Sequence, residues 1–268
     1  MVIELEPFTR VYIKYPYNER KIRHMLNRVA NLMSQVEYET VKRGLRKCNV
    51  YHVYPERFDE LIEKVQMDKL VWLPILRSKV YRGFSHKHFP VQELKPGTFV
   101  YGVIARTLED ALLFKKAHEG VTDHRTIGRL LGYPECDIDF FCRVWGKGTY
   151  DPVFEVALNT DTARKIDENT VEVTGEPLLN QLARYASLRL TSWFPCSYTC
   201  KAALEVGKKW FKIAKEIDDE AADWAYEQLS QPMTWNLLYG VVEVDTPIMK
   251  ILAASYFTEK PKIIKWKT

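Results

Sequence analysis

Thr98-Phe-Val-Tyr-Gly-Val-Ile-Ala105, followed after Arg106 by Thr107-Leu-Glu-Asp110, is the stretch of sequence that decides the fold. Its first eight residues are mostly apolar, with β-branched and aromatic side chains, which predicts a buried strand. Thr107 and Asp110 have the spacing of a capping box, with aspartate in place of the usual glutamate, and predict a helix from Thr107 to His118. A buried strand that leads directly into a capped helix indicates a sheet covered by helices.

Strands and helices alternate on the N-terminal side of this stretch. Asn18 is a suitable cap for a long helix from about Glu19 to Lys47, whose apolar residues recur at helical spacing. The predicted elements that follow are a strand at 49–54, a helix at 55–65, and β-like runs at 71–76 and 78–84. A loop is expected over residues 83–96.

Short helices are predicted on the C-terminal side, with strands between and after them. The predicted helices are 124–131, 134–145, 177–186, 195–217 and 219–231, and the predicted strands are 151–158, 170–174, 237–244 and 248–257. The fold class is therefore α/β or α+β, with a mixed sheet and a helical cysteine-bearing subdomain. We expect an α/β N-terminal part over residues 1–120 and a cysteine-motif part over residues 121–268, packed as one body.

Composition places the chain among globular proteins. Its 268 residues are 46% hydrophobic, which is enough for a sizeable core. No signal peptide and no 18-residue uncharged apolar segment is present, so we expect a cytoplasmic location and no membrane partner. Five cysteines are too few for a secreted disulfide scaffold. The abundance of lysine, arginine and glutamate is typical of thermophiles, some of which keep intracellular disulfides.

Two cysteine motifs share one local pattern, and they carry the strongest chemical signal. They read Gly132-Tyr-Pro-Glu-Cys136 and Trp193-Phe-Pro-Cys-Ser-Tyr-Thr-Cys200. Proline suits the first position of a helix, so Cys136 and Cys196 are each expected in the first turn of a helix opened by the proline of the motif. The helix dipole and free N–H groups there favour thiolate, which is the form that ligates metals.

The spacing of these cysteines predicts a metal site. Cys196 and Cys200, four residues apart, would share a helix face with Cβ atoms about 5 to 6 Å apart, a workable separation for two ligands of one metal. Cys136 would complete a set of three ligands. The candidates for the fourth ligand are His124, Asp137, His118 and an exogenous molecule. Three protein ligands with an open position are typical of catalytic zinc, and an iron–sulfur cluster is the other candidate cofactor.

Two simpler explanations of the thiols stay open. Free cysteine often packs as a small apolar side chain, and Cys142, on an apolar stripe of its predicted helix, is expected to do so. A structural disulfide of Cys136 with Cys196 or Cys200 is the second explanation. The catalytic residues, if the protein is an enzyme, stay unassigned, and the usual nucleotide, hydrolase and deaminase signatures are missing.

The cysteine motifs also carry a family resemblance. The run from His124 to Cys136, the later Pro195-Cys-Ser-x-x-Cys200 and the segment from Pro232 to Pro247 resemble an uncharacterised prokaryotic family, catalogued only as a domain of unknown function. The resemblance covers about residues 120 to 250. That family usually has a second cysteine where this chain has Asp137, and aspartate can also ligate zinc or iron. The resemblance implies that the two motifs form one site, and it implies no activity.

Charge gives the alternative function. Residues 1–50 hold ten lysines and arginines against five acids, and the tail at 260–267 is again basic, so RNA binding through the N-terminal helix and the tail is the alternative. A solvated helix surface is the simpler explanation. Glu243 and Asp245, on one face of a strand, and His86 and His88, in a loop, are weaker candidates for acid–base chemistry and metal binding. Ordinary solvated side chains explain both pairs.

Overall fold

A computed structural model of the chain describes residues 11–15, 18–79, 90–119, 121–147, 151–255 and 258–268. These residues form an α+β fold with eight α-helices and ten strands in two sheets. The helices are α1 Glu19–Lys42, α2 Phe58–Met67, α3 Leu108–His118, α4 His124–Leu130, α5 Glu135–Val144, α6 Val153–Leu158, α7 Lys201–Ile217 and α8 Asp219–Ser230. The strands are β1 Val11–Lys14, β2 Cys48–Val53, β3 Val71–Lys79, β4 Thr98–Ala105, β5 Arg164–Lys165, β6 Thr170–Thr174, β7 Met233–Leu238, β8 Val241–Asp245, β9 Lys250–Ala254 and β10 Lys262–Lys267.

The larger sheet has seven strands in the order β1-β9-β8-β7-β10-β6-β5. It is mixed, because β10 pairs parallel with β6 and antiparallel with β7. A two-residue turn joins β7 to β8, and both of its residues, Tyr239 and Gly240, have positive φ, which matches the right-handed twist of a hairpin. Alternate residues of the central strands are buried, among them Trp235 and Trp266.

Three helices form one core with this sheet. The apolar stripe of α1 is buried from Ile22 to Val36 in the same cluster as residues of α7 and α8. An ion pair also connects these helices: Arg28 of α1 donates to both carboxylate oxygens of Asp218, at 3.0 and 2.6 Å. Asp218 in turn caps α8 by accepting from the backbone N–H of Ala221.

The smaller sheet is antiparallel, in the order β2-β4-β3, and carries the stretch 98–118. The C-terminal half of α1 and α2 pack in one apolar cluster with it, and α3 and α4 pack in another. The predicted strand Thr98–Ala105 is confirmed. The predicted cap is also confirmed, because the Thr107 hydroxyl accepts from the N–H of Asp110.

Several predicted elements are wrong for identifiable local reasons. Residues 151–158 were predicted as a strand, but Val153–Leu158 is the helix α6, in which the buried side chains at positions 153, 154, 156 and 157 have helical spacing. Residues 177–186 form two short 3₁₀ turns instead of a helix. Between these turns, the buried Asn180 side chain accepts from the N–H of Leu182 and competes with a helical backbone.

One helix boundary differs from the sequence prediction, and one strand of the larger sheet has no counterpart in it. The helix α1 ends at Lys42, five residues early, because Gly44 takes a φ of 73° and breaks the helical path. The basic tail is the strand β10, whose Ile264 and Trp266 are buried inside the larger sheet. The predicted boundary at residue 120 stays a prediction, and several contacts cross it, among them the pairing of β1 with β9 and the packing of α1 against α7 and α8. Among the helices of the described chain, none is long and apolar enough to cross a membrane.

Candidate metal centre

The first cysteine motif folds as the sequence predicts. The helix α4 is followed by Gly132, whose φ of 72° turns the chain, and α5 begins at Glu135, directly after Pro134. Cys136 is therefore in the first turn of α5, where its side chain is exposed. The next residue, Asp137, is buried and only 2% exposed.

The second motif folds differently from its prediction. Pro195 does not open a helix, and Cys196 lies in a loop, so the prediction of Cys196 in a first helical turn is wrong. The helix α7 begins at Lys201, with Cys200 as its cap: the Cys200 sulfur accepts from the N–H of Ala203 at 3.5 Å. Cys196 and Cys200 therefore do not share a helix face. A turn brings them together, closed by a hydrogen bond from the N–H of Cys200 to the carbonyl of Ser197.

The fold brings four side chains from the two motifs to one place. The thiols of Cys136, Cys196 and Cys200 and a carboxylate oxygen of Asp137 all lie within 4.8 Å of one another. The Sγ atoms of Cys136 and Cys200 are 3.6 Å apart, and Cys136 Sγ is 3.6 Å from Asp137 Oδ1. All five cysteines of the chain are free thiols in this structure. The described residues therefore present a group of one carboxylate and three thiols that could hold a metal ion.

Asp137 joins the two motifs through hydrogen bonds. Its Oδ1 accepts from the backbone N–H of Cys196 at 2.7 Å, and its Oδ2 accepts from the indole N–H of Trp193 at 2.8 Å. The Trp193 ring is buried and stacks on Tyr133, two residues before the start of α5. The carboxylate therefore connects the first turn of α5 to the segment that carries the other two thiols.

Residues outside the motifs also hold the loop of Cys196 and Cys200. The amide of Asn159 donates to the carbonyl of Cys196 at 2.7 Å, and the hydroxyl of Thr160 accepts from the N–H of Tyr198 at 3.0 Å. The Tyr198 side chain is fully buried and packs edge-on against Trp266 of β10. These two bonds use backbone groups of the loop and would persist without the thiol of Cys196.

The electrostatic environment disfavours thiolate at two of the three cysteines. Burial, the Asp137 carboxylate and the neighbouring Cys200 thiol raise the pKa of the Cys136 thiol to about 11. Burial and Asp137 also raise the pKa of the Cys196 thiol. At Cys136, desolvation and a nearby negative charge therefore oppose the thiolate that the helix start is predicted to favour. A bound cation would reverse this balance, since a coordinating thiol is deprotonated.

The other predicted site residues have different surroundings. His124 begins α4, and its ring packs on Phe141, with centroids 5.3 Å apart, so it is not a member of the four-residue group. Its role as an extra ligand stays a prediction. Cys142 is half-buried on α5 and is also outside the group. Glu243 and Asp245 do share a strand face, where both pair with Lys250. His86 and His88 lie outside the described residues.

Many basic side chains of the predicted RNA-binding surface have acidic partners. On α1, Arg23 pairs with Glu19 and Lys42 with Asp68. In the turn after α1, Arg46 is buried, with its guanidinium over the Trp210 ring. On β10, Lys262 pairs with Glu155 and Lys267 with Glu172. The RNA partner stays a prediction, and these ion pairs reduce the positive charge that its surface would offer.

Comparison with protein-family models, curated proteins and solved structures finds no match for this chain. The family resemblance of the cysteine motifs stays a prediction. The site is therefore interpreted from its own geometry. Sequence reasoning did not identify the bonds from Trp193, Asn159 and Thr160 that hold the two motifs in place, because these partners are distant along the chain. An aspartate among apolar residues of α5 was the available signal for the buried carboxylate.

Proposed function

We propose that this protein binds a single zinc ion through the thiolates of Cys136, Cys196 and Cys200. The observation that supports the proposal is the convergence of three thiols and one carboxylate within 4.8 Å. Tetrahedral zinc with Zn–S bonds of about 2.3 Å requires sulfurs about 3.8 Å apart, close to the 3.6 Å between Cys136 and Cys200. Zinc is bound by thiolate and carboxylate ligands of this kind.

The same distances favour one ion over an iron–sulfur cluster. A cluster places several iron atoms and bridging sulfides between its cysteine ligands, so those cysteines must stand further apart than the ligands of one ion. The group described here has no such space between its ligand atoms. Zinc therefore has the better fit of the two predicted cofactors.

Asp137 acts in this proposal as a positioning residue. Both of its oxygens already accept N–H groups, from Cys196 and Trp193. Such partners around a metal site fix the orientation of the ligands, and their loss typically costs 10–100-fold in metal affinity. With Asp137 in this role, the fourth coordination position is left to an exogenous molecule reaching the ion from the side of the exposed Cys136. An open position would suit Lewis-acid chemistry, and we assign no reaction to it.

Elemental analysis of anaerobically purified protein tests the proposal. We expect about one equivalent of zinc in the wild type and its loss in Cys136→Ser, Cys196→Ser and Cys200→Ser. Cys142→Ser is the matched control, since Cys142 lies on the same helix as Cys136 but outside the group, and it should retain zinc. Cobalt substitution provides a second readout, because three thiolates give strong sulfur-to-cobalt charge-transfer absorption. The proposal would be overturned by protein that neither retains zinc nor takes it up on titration. It would also be overturned by stoichiometric iron and sulfide, which would show that the site holds an iron–sulfur cluster.

A further inference from the structure

A second region with the character of a binding site is a cavity of about 720 Å³ between α1 and the smaller sheet. One wall is the face of α1 that carries Ala30, Ser34 and Glu37, and the other is β2 with the start of α2. Arg189 closes a third side. Small-molecule sites usually have volumes of about 300–1,000 Å³, so this cavity is large enough for a ligand of two or three rings.

Asn49 is the residue that indicates a ligand. It lines the cavity from β2 and is only 3% exposed as a residue, and its side-chain amide forms no hydrogen bond to the described residues. The amide does not belong to the fully buried polar atoms without a partner, so it is open to the cavity. It is therefore available, as one acceptor and two donors, to a molecule that enters the cavity.

The rest of the lining indicates the chemical class of that molecule. Tyr51 lies two residues further along β2, so its ring stands on the same side of the strand as Asn49, about 7 Å away. Three basic residues line the cavity against two acidic ones, and the basic residues are Arg57, Lys64 and Arg189. Arg57 pairs with Glu60, and Arg189 lies 3.7 Å from Glu37. The ammonium of Lys64 lies over the Tyr38 ring at 4.1 Å and has no acidic partner among the described ion pairs.

We propose that this cavity binds a nucleotide, with the base hydrogen-bonded by Asn49 and stacked on Tyr51 and the phosphate near Lys64. An asparagine amide pairs with the edge of a base through two hydrogen bonds, and tyrosine rings stack on bases of any sequence. An exposed lysine at the rim attracts the phosphate as a point charge. The nucleotide is either a free mononucleotide or one residue of a single-stranded RNA, because both present the same base and phosphate. The inference does not depend on the metal centre.

Calorimetric titration of the full chain with the four ribonucleoside monophosphates, ribose 5-phosphate and the four nucleosides tests this proposal. We expect saturable binding of at least one monophosphate, and at least tenfold weaker binding of ribose 5-phosphate, which lacks the base. Asn49→Leu should weaken nucleotide binding at least tenfold while leaving the melting temperature close to that of the wild type, because the amide forms no hydrogen bond to the described residues that the change would remove. Asn27→Leu, on an exposed position of α1 outside the cavity, is the matched control and should bind as the wild type.

Lys64→Gln is a second variant whose result does not depend on the folding of Asn49→Leu, since Lys64 is an exposed side chain. It should weaken binding of the monophosphate and leave binding of the nucleoside unchanged. Titration with short single-stranded RNA oligonucleotides separates the two sources of the nucleotide. If RNA binds more tightly than the monophosphate, and Asn49→Leu weakens that binding too, the ligand is a residue of RNA. If only the monophosphate binds, the ligand is a free nucleotide. Absence of saturable binding by every nucleotide and oligonucleotide, or equal binding by wild type and Asn49→Leu, would overturn the proposal.

Discussion

Replacement of Asp137 by asparagine tests whether the carboxylate holds the two cysteine motifs together. Both of its oxygens accept N–H groups, from Trp193 and from the backbone of Cys196, and the side chain is only 2% exposed. Asparagine offers one carbonyl oxygen, so one N–H would face an NH₂ group and lose its acceptor. A hydrogen bond to a charged group contributes about 1.5–3 kcal/mol, and the unpaired N–H adds to the loss.

We therefore expect Asp137→Asn to lower the free energy of unfolding of the metal-free protein by about 2–4 kcal/mol. For a chain of this length, that loss corresponds to a decrease of roughly 5–15 °C in melting temperature. Guanidinium unfolding, followed by circular dichroism in the presence of a chelator, measures it. Chelator is needed because zinc binding would otherwise add its own stabilisation to the native state.

Asp139→Asn is the matched control for this experiment. Asp139 lies on the same helix but is exposed, where its carboxylate pairs with Arg125. An exposed ion pair contributes about 0–1 kcal/mol, so this variant should be nearly as stable as the wild type. If the free energy of unfolding of Asp137→Asn is within about 0.5 kcal/mol of the wild-type value, which is the usual effect of a surface substitution, the positioning role is refuted. The nearness of the carboxylate to the thiols would then favour Asp137 as a metal ligand.

Three further predictions concern zinc binding and the loop of the second motif. Because the pKa of the Cys136 thiol is raised to about 11, zinc must displace protons at neutral pH, so competition titrations should show affinity rising with pH, by up to tenfold per unit for each displaced proton. A flat profile would contradict thiolate ligation. Gly175→Ala should weaken zinc binding and lower unfolding stability by about 1–3 kcal/mol, because its Cβ would lie 2.5 Å from the Cβ of Tyr198. Gly207→Ala, whose Cβ meets its nearest neighbour at 3.4 Å, is the control and should lower neither. Removal of zinc by a chelator should lower the melting temperature and leave the helical circular dichroism intact. The lost stabilisation is about 4 kcal/mol if the free zinc concentration before chelation was a thousandfold above Kd. Loss of the helical signal would mean that the metal is needed for folding.

Local signals account for the parts of the fold that the sequence predicts correctly. The stretch from Thr98 to His118 carries a continuous buried strand and a capped helix, and both form as expected. The same kind of signal fails for Val153–Leu158, since a short apolar run is compatible with a strand or a helix until its neighbours are known. The sequence prediction assigns no structure to the tail that forms β10, because its position between β6 and β7 is set by pairing with distant strands.

The candidate site shows the same division. Cys136 lies in a first helical turn because Pro134 and Gly132 act locally, and this was predictable. Cys196 and Cys200 converge through a turn that is fixed by Asn159 and Thr160, which lie about 40 residues earlier in the chain. The motif spacing therefore pointed to the three cysteines that the fold brings together but gave the wrong geometry for joining them.

The buried carboxylate also argues against simple packing as the reason for these thiols. A cysteine that fills apolar space needs no particular partner, and a neighbouring Asp137 would add a desolvated charge to that space. Asn159 and Thr160 hold the loop of Cys196 and Cys200 through its backbone groups, and the Cys200 thiol also caps α7. The three thiols nevertheless converge on one another and on the carboxylate, with two of their pKa values raised. A bound cation removes that electrostatic cost, which is the physical reason to prefer metal binding over packing.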